Sequence, residues 1–200
     1  AIDPGGTNTW SNTQTPYSFT TSASPTAPTD LLTEGAINPI SILDTTPEFS
    51  AIHHDPNGDS ANYYEIEVNT AADFSGTVMW DSGQQSMTAV ANGARSPDIS
   101  YAGVGIVLNG STYYWRIRFW DTFGLVSPWS NVQNFAVNNI PNTPTLDSPI
   151  QGETNVSFRP VLLTTGRDSD IDYLRYKIEL CTNLAMTANC QTFDQTSSQT

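Results

Sequence analysis

A short acidic segment, Asp55-Pro56-Asn57-Gly58-Asp59, carries oxygen-bearing side chains at every second position. Its proline and glycine favour a loop, from which Asp55, Asn57 and Asp59 can converge on one cation. Calcium takes about six to eight oxygen ligands, so carboxylate and amide groups suit it. The segment differs from an EF-hand loop, because Gly58 stands at the fourth position and no glutamate stands at the twelfth. It predicts a calcium site, whereas the simpler interpretation is a polar turn.

The same pattern recurs later in the chain. Asp168 follows Asp55 by 113 positions and begins a second segment with acidic residues at alternate positions. A repeated spacing of this kind indicates two copies of one structural unit. We therefore predict calcium as the cofactor of both loops, the second set of ligands being Asp168, Asp170 and Asp172.

The two cysteines, Cys181 and Cys190, stand nine positions apart. Two cysteines are too few for a zinc site, and no C-x-x-C motif is present, which leaves a local disulfide or two free thiols. We predict the disulfide, because other features of the chain indicate a location outside the cell.

No arrangement of residues predicts catalysis. His53 and His54 are adjacent in a predicted strand, where neighbouring side chains point to opposite faces and cannot easily share one ion. Serine, histidine and aspartate all occur, but no serine stands in a nucleophile-elbow motif. We therefore predict a chain without enzymatic activity.

The charge balance is strongly acidic, with 20 acidic against 7 basic residues among 200 and a formal net charge of -13. A polyanion has no surface that neutralises phosphates, which excludes nucleic acid and anionic membranes as partners. The longest apolar run, 102–108, is far shorter than the ~20 residues of a membrane-spanning helix, so no membrane insertion is expected. Charged residues are only 14% of the chain, and a surface of Thr, Ser, Asn and Gln fits a secreted or cell-surface protein.

Short segments with alternating side chains predict strands that would position these groups. The clearest spans 113–120 and places Tyr113, Trp115, Ile117 and Phe119 on one face. No segment shows a sustained helical period, so we predict an all-β fold with the short strands of an immunoglobulin-like sandwich. The other predicted strands are 17–20, which would end a preceding domain, and 37–43, 48–53, 63–68, 77–80, 98–101, 106–108 and 134–137.

Two proline-bearing linkers divide the chain. Pro25 and Pro28 in the first are matched 116 positions later by Pro141 and Pro144 in the second, and both favour an extended course. At the chain start, Asp3, Gly6 and Trp10 precede Asp121, Gly124 and Trp129 by 118 or 119 positions. We therefore predict the closing strands of a preceding repeat plus a linker in 1–28, a complete domain in 29–138, and a linker with the first half of the next repeat in 139–200.

The central unit resembles a bacterial fibronectin type III-like repeat of secreted or surface proteins. The resemblance lies in Tyr64-x-Ile66-x-Val68, Trp80-Asp81-Ser82-Gly83, Gly110-x-x-Tyr113-Tyr114-Trp115-Arg116 and Trp129-Ser130. It implies tandem fibronectin type III-like β-sandwiches, one complete and two partial. The tryptophan usual on the second strand is missing, with Phe49 or Ile52 in its place. In such a sandwich the loop holding Asp121 shares one end with the segment 55–59 and the incoming linker, so an ion there would stiffen the joint between domains.

The repeat organisation predicts a structural segment of an extracellular stalk, adhesin or filament. Its partners would be neighbouring repeats or identical protomers, the latter joined head to tail by strand addition. The alternative is an accessory or carbohydrate-binding module of a secreted polysaccharide-degrading enzyme, with glycans stacking on Trp120 and Tyr114. Against a glycan platform, the exposed side chains of 113–120 can pair with Glu65 and Glu67 in a solvated cross-strand ladder.

Overall fold

The computed structural model describes residues 17–170 and 172–196, which form twelve strands and no helix. The described residues accordingly offer no helix that could span a bilayer. The all-β prediction is confirmed. The strands are β1 Thr29–Thr33, β2 Glu48–Ile52, β3 Ala61–Asn69, β4 Val78–Asp81, β5 Gln85–Val90, β6 Ile99–Ser100, β7 Thr112–Asp121, β8 Gln133–Ala136, β9 Thr145–Ser148, β10 Leu163–Thr165, β11 Lys177–Leu180 and β12 Gln191–Asp194.

Two antiparallel sheets build the first eight strands into one immunoglobulin-like sandwich. One sheet has the order β1-β2-β6, and the other has the order β4-β3-β7-β8 with β5 also paired to β3. The second sheet is held by the long β3–β7 ladder, in which Ala61 pairs with Asp121 and Asn69 with Tyr114. Strands distant in sequence therefore lie side by side, as expected for a sandwich of this class.

Alternation along β7 supplies one face of the core, as predicted. Tyr113, Trp115, Ile117 and Phe119 are all buried, while the residues between them are only half-buried. Across the core, Phe49 of β2 packs its ring 4.7 Å from that of Trp115. Ile52 is only half-buried, so Phe49 takes the place expected for the missing tryptophan.

The predicted first strand, 37–43, is wrong. Asn38 and Ser41 have positive φ angles of 47° and 62°, which interrupt an extended strand. Only Ile42 makes a bridge, parallel to Val137, and the first strand of the sandwich is β1 instead. The apolar residues of 37–43 resemble a strand in sequence, but the backbone of this segment is not extended.

Three further differences between the predicted and the observed strands concern segments with a weak sequence pattern. The segments 17–20 and 106–108 form no strand, although both were predicted to do so. The strand β5 was missed, because half of its sequence Gln-Ser-Met-Thr-Ala-Val is polar and the strand lies largely exposed at the sheet edge. The repeat at Asp3, Gly6 and Trp10 lies outside the described residues.

The later strands form two separate two-stranded sheets, β9 with β10 and β11 with β12. Most of their side chains are exposed, including large apolar ones such as Leu146, Leu163 and Phe193. Cys181 and Cys190, which flank the β11–β12 hairpin loop, are joined by a disulfide bond. The buried core of the described residues therefore belongs to the first eight strands.

Candidate functional site

Three carboxylates meet at one end of the sandwich, and we call Asp55, Asp59 and Asp121 the acidic pole. One oxygen from each side chain lies within 4.8 Å of the other two. Asp55 and Asp59 come from the loop between β2 and β3, whereas Asp121 is the last residue of β7. The β3–β7 ladder pairs Ala61 with Asp121, so the loop before β3 lies beside the end of β7.

One oxygen of Asp55 shapes its own loop. Asp55 Oδ1 accepts hydrogen bonds from the backbone amides of Asn57 at 2.9 Å and Asp59 at 3.2 Å. The tight turn that follows uses Gly58, whose φ of 86° suits glycine. The conformation of the loop is thus held by Asp55, which is itself one of the three carboxylates of the acidic pole.

Asp121 repeats this arrangement at the end of β7. Its Oδ1 accepts from the backbone amides of Phe123 at 2.9 Å and Leu125 at 2.8 Å. The turn after the long strand is therefore closed by the side chain of the strand's last residue. The sequence placed Asp121 at this end of the sandwich but did not include it among the predicted ligands.

The second oxygen of two of these carboxylates has no hydrogen-bond partner among residues 17–170 and 172–196. Asp55 and Asp121 are only 4% and 1% exposed. The Oδ2 atom of each is buried without a hydrogen bond. A buried carboxylate oxygen without a partner is costly, because it has lost water and gained nothing in return.

Among residues 17–170 and 172–196, no basic side chain forms a salt bridge with the acidic pole. The salt bridges within 17–170 and 172–196 join Arg116 to Glu67 and Arg118 to Glu65, on the sheet face. His53 lies close by and is fully buried, but its Nε2 faces the backbone oxygen of Asp59 at 3.0 Å. Like charges therefore meet here without a cationic partner from the described part of the chain.

The incoming linker is fastened to the same loop. Ser22 Oγ donates to Asp59 Oδ2 at 2.7 Å, and the Ala23 amide donates to Asn57 Oδ1 at 3.0 Å. The predicted ligand Asn57 is thus engaged with the linker, and the loop 55–59 acts as its anchor. The predicted proximity of linker, loop and Asp121 is observed.

The linker contact recurs at the second acidic segment. The Asn139 amide donates to Asp170 Oδ2 at 2.8 Å, as the Ala23 amide does to Asn57 Oδ1. Asn139 follows Ala23 by 116 positions, and Asp170 follows Asn57 by 113. The two linkers are also 116 positions apart, and the two acidic segments 113. Residues at equivalent positions therefore make the two contacts.

A second hydrogen bond recurs with the same offsets. The Thr26 amide donates to the His54 backbone oxygen at 2.9 Å, and the Asn142 amide donates to that of Arg167 at 2.9 Å. The two bonds match in their positions along the chain, and the division of the chain into repeats stays a prediction. Each linker is thus hydrogen-bonded to the acidic segment that follows it in the chain, or to the residue just before that segment.

The second acidic segment differs in its electrostatics. A hydrogen bond to Asp170 raises the pKa of the Asp168 carboxyl, and the same bond lowers the pKa of Asp170. Asp172 is exposed, and these three side chains do not form a three-ligand group within the described residues. The structure therefore brings only the first acidic segment together with a buried carboxylate from another strand.

A ladder of ion pairs covers the outer face of β3 and β7. Arg116 Nε and Nη2 donate to Glu67 Oε2 at 3.0 and 2.6 Å. Arg118 makes the corresponding contacts to Glu65 Oε2, with Nε at 2.8 Å and Nη2 at 2.7 Å. The cross-strand pairs expected from alternation are present.

Aromatic rings complete this ladder. The guanidinium carbon of Arg116 lies 4.0 Å from the centroid of the Phe74 ring and 4.6 Å from that of Trp129. The corresponding atom of Arg118 lies 4.5 Å from Trp129 and 5.1 Å from Trp120. Trp120 is half-buried and already in contact with Arg118, and its use as a glycan platform stays a prediction.

Two serines hold Trp129 in place. Ser127 Oγ accepts from the Phe119 amide at 3.1 Å, and Ser130 Oγ accepts from the Ile117 amide at 3.1 Å. Their own amides donate back to the backbone oxygens of Phe119 and Ile117. The sequence Ser-Pro-Trp-Ser thus docks on β7 through both serines, a role that the sequence did not reveal.

This sandwich matches a known domain family over residues 28–139, the Rha78A-like N-terminal immunoglobulin domain. The chain belongs to this family. The immunoglobulin-like part of the predicted resemblance is confirmed. The family match names an N-terminal domain rather than a fibronectin type III repeat of a surface protein.

Two α-L-rhamnosidases are similar in sequence to part of this chain. That of Formosa agariphila is 28% identical over 167 residues, which cover 77% of this chain and 16% of the relative. That of Alteromonas sp. (strain LOR) is 28% identical over 113 residues, which cover 54% of this chain and 12% of the relative. The aligned part of this chain thus spans less than a fifth of either relative's length.

Two solved rhamnosidase structures are also similar to part of this chain. The α-L-rhamnosidase of Streptomyces avermitilis, complexed with L-rhamnose, gives a TM-score of 0.47 at 24% identity over 56% of this chain and 10% of its own. That of Dictyoglumus thermophilum gives a TM-score of 0.49 at 20% identity over 80% of this chain and 18% of its own.

Proposed function

We propose that this chain is a non-catalytic accessory part of a secreted α-L-rhamnosidase. The observation that carries the proposal is the family match over residues 28–139, supported by the two rhamnosidases with 28% identity. This function corresponds to the alternative expected from the sequence and ranks above the stalk or adhesin.

The disposition of carboxylates supports a non-catalytic role. Glycoside hydrolases use two carboxylates on either side of a sugar, about 5 to 9.5 Å apart in a cleft that admits the substrate. Asp55 and Asp121 of the acidic pole are buried within the sandwich instead of facing a cleft. A cleft of about 460 Å³ lined by Leu163, Tyr176 and Phe193 contains one carboxylate, that of Asp194. Neither place supplies the pair that the reaction requires.

The rigidity of the sandwich and the hydrogen bonds of the linkers support the accessory role. A sandwich with its own core supplies a stable unit, and linkers fastened to the loops that they enter limit movement at each joint. The contacts of Ala23 with Asn57 and of Asn139 with Asp170 are the ones that would do this. Consecutive units would thereby position a catalytic domain relative to its surroundings.

Secretion is part of the same proposal. The Cys181–Cys190 disulfide is of the kind that persists in oxidising compartments. The acidic surface, with a formal net charge of -13, suits a soluble extracellular environment.

Hydrolysis of p-nitrophenyl α-L-rhamnopyranoside tests the proposal. The assay compares the 200-residue chain with the longer protein that contains it. We expect release of p-nitrophenol by the longer protein and none by the chain alone. Activity of the chain alone would contradict the accessory role, and a longer protein inactive on α-L-rhamnosides would favour the stalk.

A further inference from the structure

We propose that the acidic pole binds one calcium ion at the end of the sandwich where the incoming linker arrives. The ligands from this chain are Asp55, Asp59 and Asp121. The site does not depend on which reaction a longer protein catalyses. Its consequence is a linker that is held more firmly when calcium is bound.

The distances fit a calcium ion. Calcium–oxygen bonds measure about 2.3 to 2.6 Å, so two ligands of one ion are at most about 4.6 to 5.2 Å apart. One oxygen from each of Asp55, Asp59 and Asp121 lies within 4.8 Å of the others. The three side chains can therefore ligate one ion without movement of the loops that carry them.

The unpaired oxygens are an independent reason to place an ion here. Oδ2 of Asp55 and Oδ2 of Asp121 are buried and make no hydrogen bond with any residue that the structure describes. Their side chains are 4% and 1% exposed, so water does not replace the missing partners freely. A divalent cation supplies the charge compensation that no basic residue of the described part supplies.

The other oxygen of each buried carboxylate is already used to shape the site. Asp55 Oδ1 holds the amides of Asn57 and Asp59, and Asp121 Oδ1 holds the amide of Leu125 at 2.8 Å. The loops are thus organised before an ion arrives, which lowers the cost of binding.

The expected effect of calcium on the linker comes from the third ligand, Asp59. Asp59 Oδ2 accepts from Ser22 Oγ at 2.7 Å, and the neighbouring Asn57 holds the Ala23 amide. An ion that fixes Asp59 therefore also fixes the side chain to which the linker is bonded. Calcium would stabilise the joint through the loop rather than by direct contact with the linker.

Two other acidic groups in the described part do not combine close carboxylate oxygens with buried, unpaired ones. Glu34, Asp44 and Glu48 also bring oxygens within 4.8 Å of one another, but the first two are exposed and the third is half-buried. At the second acidic segment, Asp168 Oδ2 is also buried without a partner among the described residues, but Asp168, Asp170 and Asp172 do not come together as a three-ligand group there. The proposal is therefore limited to the acidic pole.

Calorimetric titration of the 200-residue chain with calcium chloride, after removal of metal with EDTA, tests the site. We expect one site per chain, with weaker binding of magnesium. Asp121→Asn keeps an oxygen that can accept from the Phe123 and Leu125 amides but loses the charge, so its affinity should fall at least tenfold. The matched control is Asp44→Asn, since exposed Asp44 holds the Thr46 amide in the same way.

Thermal unfolding in EDTA and in calcium separates a lost site from a damaged fold. We expect the wild-type Tm to rise by at least about 5 °C at a hundredfold excess of calcium over Kd. In EDTA, Asp121→Asn should be at least as stable as the wild type, because it removes repulsion from the acidic pole. In calcium, the order should reverse.

Three results would overturn the proposal. They are the absence of saturable binding at millimolar calcium in the folded wild type, unchanged affinity in Asp121→Asn, and tighter binding of magnesium than of calcium. Hydrogen exchange tests the linker in the same samples. Calcium should slow exchange of the Ala23 and Thr26 amides, and unchanged exchange in a calcium-bound chain would refute the effect on the joint.

Discussion

The guanidinium carbon of Arg116 lies 4.6 Å from the centroid of the Trp129 ring. The same ring lies 4.5 Å from the guanidinium carbon of Arg118. A tryptophan from the segment after β7 therefore packs on that strand's outer face, between side chains two positions apart. The contact ties the segment between β7 and β8 to the sheet, and it gives the first prediction.

Trp129→Ala should lower the free energy of unfolding by about 2 kcal/mol. Each cation–π contact contributes about 0.5 to 1 kcal/mol, and the half-buried ring adds apolar burial. Urea unfolding followed by circular dichroism measures the change. Phe123→Ala is the control, because the Phe123 side chain is exposed and its removal should cost less than about 0.5 kcal/mol. Equal effects of the two substitutions would show that the ladder contributes nothing.

Phe49→Ala should destabilise the sandwich by about 3 to 5 kcal/mol. The ring is fully buried and packs 4.7 Å from Trp115 and 5.7 Å from Phe135, so its loss leaves a cavity between the two sheets. Phe49→Leu, which fills more of that space, should cost about 1.5 kcal/mol. Ile52→Ala on the same strand is the comparison, and a larger loss there than at Phe49 would contradict the assignment of the core position.

Stability should fall as the pH rises from about 10 to about 12, because of Tyr101. Burial, with a smaller contribution from nearby Tyr113, raises the pKa of Tyr101 to about 12. An unfolded tyrosine titrates near 10, so between about pH 10 and 12 the folded chain binds the proton more tightly. The stabilisation is complete below about pH 10 and is lost as the pH rises through the folded pKa.

The protonated hydroxyl of Tyr101 makes contacts in the folded chain that its ionised form would lose. It lies 2.9 Å from the backbone oxygen of Met79 and 2.6 Å from that of Val104, to which only the protonated form can donate. Denaturant unfolding at several pH values should therefore show a weaker alkaline dependence in Tyr101→Phe. Burial also raises the pKa of Tyr64, so part of the dependence should remain. Exposed Tyr17→Phe is the control, and an unchanged profile in Tyr101→Phe would disprove the assignment.

Removal of the disulfide should affect the β11–β12 hairpin and leave the sandwich intact. Cys181 and Cys190 are the chain's two cysteines, so 28–139 contains none. Their double substitution by alanine should cost the hairpin about 2 to 3 kcal/mol, on the basis of the short loop that the bond closes. Hydrogen exchange of the β11 and β12 amides should become faster.

Tryptophan fluorescence is the matching control for the disulfide prediction. Residues 139–200 contain no tryptophan, whereas the described sandwich holds Trp80, Trp115, Trp120 and Trp129. The urea midpoint from fluorescence should therefore not change in the double variant. A shifted midpoint would mean that the sandwich depends on the hairpin.

Local alternation made β3 and β7 predictable, because a residue's face in a strand depends on its position alone. The same period predicted which side chains of β7 enter the core and that arginines and glutamates would meet on the opposite face. β5 lacks a marked alternation since it lies at an edge, and the segment 37–43 is apolar but interrupted by the positive φ of Asn38 and Ser41.

The sequence by itself determined the all-β class, the core face of β7 and the recurrence of linkers and acidic loops, since these follow from spacing along the chain. Only the tertiary structure decided that Asp121 joins Asp55 and Asp59, and that Phe49 rather than Ile52 fills the centre of the core. These relationships connect residues far apart in sequence. They depend on the register of β3 against β7 and on how the two sheets pack, which no local pattern specifies.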